Sequence, residues 1–387
     1  MFSHRIRLFS LFGFQVWIDA SWLLLGALVA WALAVGVFPV QIPGLPDSTY
    51  WWMAVAATIG LLFSIVLHET AHSLVARRYG VEIRGIMLFI FGGVAEMQGE
   101  PREARGEFLM ALAGPVASFL LAAALFALYG AMARLHGLPT IATVVWYLGF
   151  LNGMLATFNL IPAFPLDGGR MLRAALWGWR GDLAWATRIA AGAGDIFGIL
   201  LIVLGVVAVL RGDFIGGMWQ FLIGLFLRAA ASAGYRQTMA QQLLAGVKVA
   251  EVMTPDPVSV PPDLSIADFV EGYVYRFHHR EFPVTRSGML IGRIGTQEAA
   301  ALDRGRWAAT AVAAVASPCT KADTIAPEAA ALEALTRMSG CGRSRLFVVR
   351  DGRLIGVVSQ RDMIELLSLK LELAGAMPVP RRARAPQ

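Results

Sequence analysis

The sequence predicts a multi-pass α-helical membrane protein, with six transmembrane helices and a short β-hairpin or sheet insert, followed by a cytoplasmic α/β domain built as a tandem repeat. Three observations predict it. Hydrophobic residues make up 57% of the 387 positions and charged residues only 16%, with a mean hydropathy of +0.61; soluble domains carry about 25% charged residues. The charge is also uneven, sparse up to residue 235 and frequent beyond 248. Residues past 249 then read as two copies of one unit. The boundaries drawn from this are 1–235 for the membrane domain, 236–248 for a linker, 249–310 and 311–370 for the two copies, and 371–387 for a flexible tail.

The N-terminal stretch "MFSHRIRLFSLFGFQV" is basic, then apolar, and lacks the small residues of a signal-peptide cleavage site. It is expected to be retained as a first membrane span. About 20 apolar residues suffice to cross a bilayer. Such runs occur at Ala20–Val40, Ser48–Leu67, Phe108–Ala133, Gly137–Leu166, Ile189–Leu210 and Phe214–Leu227. The fourth is long enough for a helix plus an irregular tail, and the short sixth borrows the "RAAASAG" behind it. Arginines near span ends orient the domain. With a cytoplasmic N-terminus, the inner side holds Arg5, Arg7, Arg77, Arg78, Arg84, Arg102, Arg105, Arg170, Arg173, Arg180 and Arg188, and the outer side only Arg134 and Arg211. Both termini are therefore expected on the cytoplasmic face of the plasma (inner) membrane.

Residues 81–98, "VEIRGIMLFIFGGVAEMQ", are too short and too glycine-broken to span. Their β-branched and aromatic content fits a hairpin or short sheet, which must lie against protein or near the interface because bare strand edges are not tolerated in lipid. Beside an active site, such an edge would let an extended substrate pair with it.

The chemistry begins with "HETAH" at the inner end of the second run. On a helix, His68 and His72 are one turn apart on one face, so both imidazoles can reach one ion, and Glu69 can hold the water that the ion polarises. Two readings stand, a metal site or an interfacial polar cluster; the position at membrane depth, where uncompensated polar groups tend to be functional, favours the metal. A catalytic ion such as zinc takes three protein ligands. His4 lies in the N-terminal tail and His136 on the expected outer side, so neither is placed to be the third. The fourth run ends in "FNLIPAFPLDGGRML", where Pro162 and Pro165 break the helix and Gly168-Gly169 permit a tight path. That lets the chain turn Asp167 back toward the second span. Asn159 either donates to a developing oxyanion or makes an interhelical hydrogen bond.

"HETAH" and "NLIPAFPLDGG", with "FGGVAEM" and "LAGPVASFLLA" in order between them, resemble the site-2 protease family of intramembrane zinc metalloproteases over residues 10–235. The resemblance implies that His68, His72 and Asp167 hold one Zn2+, that Glu69 is the general base and that Asn159 assists the oxyanion. It implies hydrolysis of a peptide bond in or near a transmembrane segment of a single-span substrate, such as a membrane-anchored transcriptional regulator. The third-span motif often reads GPxxN in that family; here Ser118 stands in the Asn position and keeps a hydrogen-bonding side chain. Two further acids lie near the membrane. Asp195, in a GxxxG step between Gly194 and Gly198, is read either as functional or as an interfacial residue, and Asp19 likewise.

In the C-terminal part, "VMTPDPVSVPPDLSI" lines up with "VASPCTKADTIAPEA", and "REFPVTRSGMLIGRI" with "RLFVVRDGRLIGVVS", an internal repeat of roughly 60 residues. The repeat resembles a tandem pair of CBS domains. The resemblance implies a regulatory module that either binds an adenine nucleotide or serves only to dimerise the chain or position substrate. Ser359 and Asp362 of "GVVSQRD" would meet phosphate or ribose; the matching positions of the first copy are Gly295 and Glu298, a departure that bears on one of the two ligand sites. His278 and His279 are read as ordinary exposed or partly buried residues, with nothing that pairs with them as a metal site.

The net charge of +6 is assigned to loop arginines beside anionic headgroups, and no basic cluster with interleaved aromatics points to nucleic acid. Cys319 and Cys341 lack metal-site spacing and are expected as free thiols. A CBS-gated transporter is the rival class. It has no need for HExxH and LDG on one side of the membrane, and the helices show no inverted repeat. An inactive scaffold is the other rival, and its usual mark, a lost ligand or base, is missing.

Overall fold

A computed structural model of the chain describes residues 5–90, 92–98, 101, 103–134, 139–340 and 342–373. His4, Arg102, His136, Cys341 and the 374–387 part of the expected tail lie outside the described residues. The chain divides into two compact units, Met1–Thr238 and Met239–Gln387.

The N-terminal stretch is not a membrane span. It forms a hairpin of β1 (Arg5–Leu11) and β2 (Phe14–Asp19), turned by Phe12 and Gly13 with φ of 51° and 90°. Two successive positive φ values give the tight turn that suits strand twist. Alternation explains the outcome: Phe14, Val16 and Ile18 are buried while the residues between them are less so, a period of two that a helix cannot use. β2 pairs in parallel with β3 (Glu82–Phe89), which pairs antiparallel with β4 (Gly92–Gln98), so the sheet runs β1-β2-β3-β4 with β4 on an edge. The expected hairpin at 81–98 is thus half of a larger sheet. It lies against protein, because Val16, Ile18, Ile86 and Leu88 pack on Trp22 and Val66.

The helices are α1 (Ala20–Gln41), α2 (Asp47–Arg78), α3 (Ala104–Arg134), α4 (Pro139–Asn159), α5 (Asp167–Arg180), α6 (Leu183–Leu210) and α7 (Phe214–Leu244). All but α5 are long and apolar enough to cross a membrane. Asp19 caps α1, accepting the Ser21 N–H at 2.9 Å, which satisfies an orphan helical donor. A π-helical turn at Leu33–Val37 precedes Pro39, which has no N–H to give the ladder. α4 stops at Asn159, and an irregular segment of about seven residues follows before α5.

Small residues set the packing of α6 on α7. A Cβ on Gly205 would come 2.6 Å from the Gly217 carbonyl, and one on Gly198 2.8 Å from that of Gly224. Such close backbone approach is how membrane helices gain van der Waals contact. Asp195 joins this interface through an ion pair with Arg228, Nε to Oδ1 at 2.6 Å, with both side chains about 40% exposed. α7 continues into the stretch read as a linker as far as Leu244, since "QTMAQQLL" is rich in good helix formers.

In the second unit, β5 (Glu281–Arg286) and β6 (Met289–Gly295) form one hairpin, β7 (Arg345–Arg350) and β8 (Arg353–Ser359) another. Their turns, Ser287-Gly288 and Asp351-Gly352, both have two positive φ values. Met289 pairs with Arg353, so the hairpins share one sheet. Each copy keeps its own core: Val260, Phe269, Phe282, Val284 and Ile294 in the first, Ile325, Leu346, Val348, Val358 and Met363 in the second.

Candidate metal centre

His68 and His72 lie on one face of α2, both 4% exposed, with ring centroids 4.7 Å apart. Asp167 is the first residue of α5, where the positive end of the helix dipole favours a carboxylate. Its Oδ2 lies 3.1 Å from His68 Nε2 and 3.2 Å from His72 Nε2, and the two Nε2 atoms are 3.0 Å apart. These are the only three such ligand atoms that cluster among the described residues.

Both outer ring nitrogens have a partner, and for His72 that partner fixes what the inner nitrogen can do. His72 Nδ1 is 2.6 Å from the Met110 carbonyl, which only accepts, so Nδ1 carries the proton and, in the neutral ring, Nε2 a lone pair. His68 Nδ1 is 2.9 Å from Ser118 Oγ, the position where the related motif has Asn. The His72 lone pair, the inner ring nitrogen of His68 and a carboxylate oxygen therefore face one another. A tetrahedral zinc with bonds near 2.05 Å separates its ligand atoms by about 3.3 Å, close to the separations here. The space for the ion comes from Gly114 of α3, where a Cβ would collide with His72 Nε2 and come 2.6 Å from His68 Nε2. The donor set and this cradle fit Zn2+.

The path that delivers Asp167 is held at the backbone. The Phe164 N–H donates to the Ala190 carbonyl of α6 at 3.3 Å. Cβ atoms on Gly168 or Gly169 would run into the backbone of residues 160–164, and one on Gly194 into the Phe164 carbonyl. The Phe164 ring lies beneath the Arg173 guanidinium, 5.3 Å away, with Gly234 of α7 close against its edge. Arg173, counted among the inner-side arginines, does not face headgroups: it is buried and ion-paired to Glu107. Nothing in the local sequence separates this arginine from its neighbours, because its partner lies 66 residues away.

Glu69 is half-buried, next to the ligand pair, and β4 passes it so closely that a Cβ on Gly93 would come 2.6 Å from Glu69 Cγ. The side chain of Asn159, a half-buried residue at the end of α4, makes no hydrogen bond among the described residues. The interhelical bond that the sequence allowed there is made one helical stretch earlier, by Asn152 to Ser64 Oγ at 2.9 Å.

Ser359 and Asp362 lie together at the start of the helix Gln360–Leu373. The Ser359 N–H and hydroxyl donate to Asp362 Oδ2 at 2.9 and 2.8 Å. They border a cavity of about 790 Å³ that Arg345, Arg361 and both His278 and His279 also line. Both histidines are exposed. His279 stacks on Phe282, and burial, then Arg345 and His278, lower its pKa.

The sequence pattern of peptidase family M50 matches residues 56–134 and 131–204, and that of the CBS domain residues 249–299 and 312–369. Rip3 of Mycobacterium tuberculosis is 35% identical over 377 residues, spanning 97% of this chain and 95% of that protein. Zinc metalloprotease MJ0392 of Methanocaldococcus jannaschii is 32% identical over 376 residues, spanning 96% and 98%. Among solved structures, a site-2 protease from Methanocaldococcus jannaschii is 30% identical, with a TM-score of 0.41 over 59% of this chain and 94% of that one. Since the sequence matches run nearly end to end, the chain belongs to the M50, or site-2 protease, family of zinc metalloproteases, as a multi-pass membrane hydrolase with a C-terminal CBS pair.

Proposed function

We propose that the chain is an intramembrane endopeptidase that cuts a peptide bond in or near the transmembrane segment of a single-span membrane protein, such as a membrane-anchored transcriptional regulator. The observation that carries this reading is the convergence of His68, His72 and Asp167 on one point between helices long enough to cross a membrane. When bound, zinc supplies Lewis-acid polarisation of a water and of a peptide carbonyl.

Glu69 takes the proton of the attacking water and returns it to the departing amine. The Met110 carbonyl and Ser118 Oγ hold the two imidazoles with Nε2 turned inward. Asn159, with its amide uncommitted, donates to the oxygen that gains charge. A helical substrate hides its carbonyls in its own hydrogen bonds and has to unwind first. The edge strand β4 beside Glu69 suits this step, because an unwound segment can pair with it in extended form. Clustering of arginines at the ligand-bearing ends of the helices favours cytoplasmic termini and entry of water from the cytoplasm of the plasma (inner) membrane. The CBS pair regulates activity or substrate access, through an adenine nucleotide at Ser359 and Asp362 or by pairing two chains.

Co-expression with candidate single-span regulators tests the reading. Cleavage is expected with the wild type and not with Glu69→Gln; undiminished cleavage by the variant rejects the mechanism. Metal content of His68→Ala and Asp167→Ala, expected well below one zinc per chain, tests the ligand set separately.

A further inference from the structure

The two CBS copies have the same strand register, so each residue of one cleft has a counterpart in the other. Glu281 pairs with Gly295 and Pro283 with Arg293 in the first copy; Arg345 pairs with Ser359 and Phe347 with Val357 in the second. Val260 and Ile325 make the equivalent parallel pairings with Val284 and Val348, so Val258 and Asp323, two residues before them, also correspond. The helix-capping pairs match as well: the Gly295 N–H donates to Glu298 Oε2 at 3.0 Å, as the Ser359 N–H donates to Asp362.

Two apolar residues that line the open cleft, Val258 and Val357, are replaced in its twin by Asp323 and Arg293. The replacements are tied into one cluster. Arg293 Nη1 lies 2.5 Å from Glu281 Oε1 and 3.5 Å from Glu298 Oε1, and its Nε 3.6 Å from Asp323 Oδ1. Arg343 closes the group at 3.0 Å from Asp323. The Asp323 and Arg293 side chains are only 5% and 17% exposed. Burial pushes the Asp323 carboxyl up, but bonds from Thr320 and the charges of Arg343 and Arg293 more than offset this and hold it below its ordinary range.

A ligand entering the twin would meet the Arg293 and Asp323 side chains in the place of two valines, with the guanidinium ion-paired to Glu281, Glu298 and Asp323. The open cleft also borders acids, Asp256, Glu281 and Asp362, but it has Val258 and Val357 where the twin has the charged cluster, with Arg345, Arg361 and two histidines at its border. We infer that the CBS pair takes one adenine nucleotide per chain, in the cleft at Ser359 and Asp362, because the Arg293–Asp323 cluster fills the symmetry-related cleft. This rests on the nucleotide reading of the module given above.

Isothermal titration of the full-length protein in detergent, with ATP as the charged probe and adenosine as the neutral one, tests it. One molecule per chain is expected with the wild type, and Asp362→Ala is expected to weaken its binding at least tenfold. The double variant Arg293→Val, Asp323→Val copies the open cleft's residues into the twin, and it is expected to take up a second adenosine. Its unchanged first binding event reports that the unit still folds. Two molecules bound to the wild type, or only one adenosine bound to the folded double variant, overturns the inference. No binding of either probe to the wild type instead rejects the nucleotide reading, and the inference with it.

Discussion

Arg173 Nε donates to Glu107 Oε1 at 2.7 Å, and both side chains are 1% exposed. Arg173 lies on the helix that begins with Asp167, and Glu107 at the start of the helix that carries Gly114 and Ser118. One buried ion pair thus ties the third ligand's helix to the helix that cradles the ion. Thr238 adds a 3.5 Å contact to the same guanidinium.

Arg173→Ala is expected to destabilise the membrane domain by about 3–5 kcal/mol, because it removes the buried guanidinium that the Glu107 carboxylate faces. Replacing both residues, as Arg173→Met with Glu107→Leu, is expected to recover most of the loss. Thermal unfolding in detergent reads both effects. A single variant as stable as the wild type would contradict the role given to the pair.

Gly114→Ala places a methyl group between the two Nε2 atoms, where the ion has its space. The expected result is a folded protein that retains little zinc. Metal analysis alongside an unfolding curve separates this from simple misfolding; full zinc occupancy in the variant would place the ion elsewhere.

Ser118→Ala removes the His68 Nδ1 partner and is expected to weaken zinc binding about 10- to 100-fold. Ser118→Asn, which restores a hydrogen-bonding group, is expected to bind more tightly than the alanine variant. Competition with a chelator measures both. Equal affinities in all three proteins would leave the hydroxyl without a part in holding the imidazole.

Burial, reinforced by the Asp323 carboxylate, pushes the Cys319 thiol up to about 11. The neutral thiol therefore persists well above physiological pH. At pH 8 about one molecule in a thousand carries the reactive thiolate, against roughly a quarter for an unperturbed cysteine. Peptide-resolved mass spectrometry after iodoacetamide treatment is expected to find slow labelling at pH 8, rising nearly tenfold per pH unit toward pH 11. Rapid labelling at pH 8 would rule out the half-buried, acid-flanked setting.

Much of this protein was legible in the chain itself. The helices able to cross a membrane follow from long apolar runs, a local property that needs no knowledge of neighbours. The pairing of His68 with His72 follows from helical periodicity, and the CBS copies from direct repetition. Asp167 was legible because prolines and glycines advertise a break in the helix. Tertiary structure decided the rest, because it turned on partners far apart in sequence. The N-terminal stretch became strands because β3 gave β2 a partner in a larger sheet. Arg173 became a buried strut because Glu107 came to meet it, and Asp195 a span-to-span pair because Arg228 did. The closure of one CBS cleft turned on Arg293 and Asp323, 30 positions apart, meeting across a fold that gives their counterparts Val357 and Val258 no charge to share.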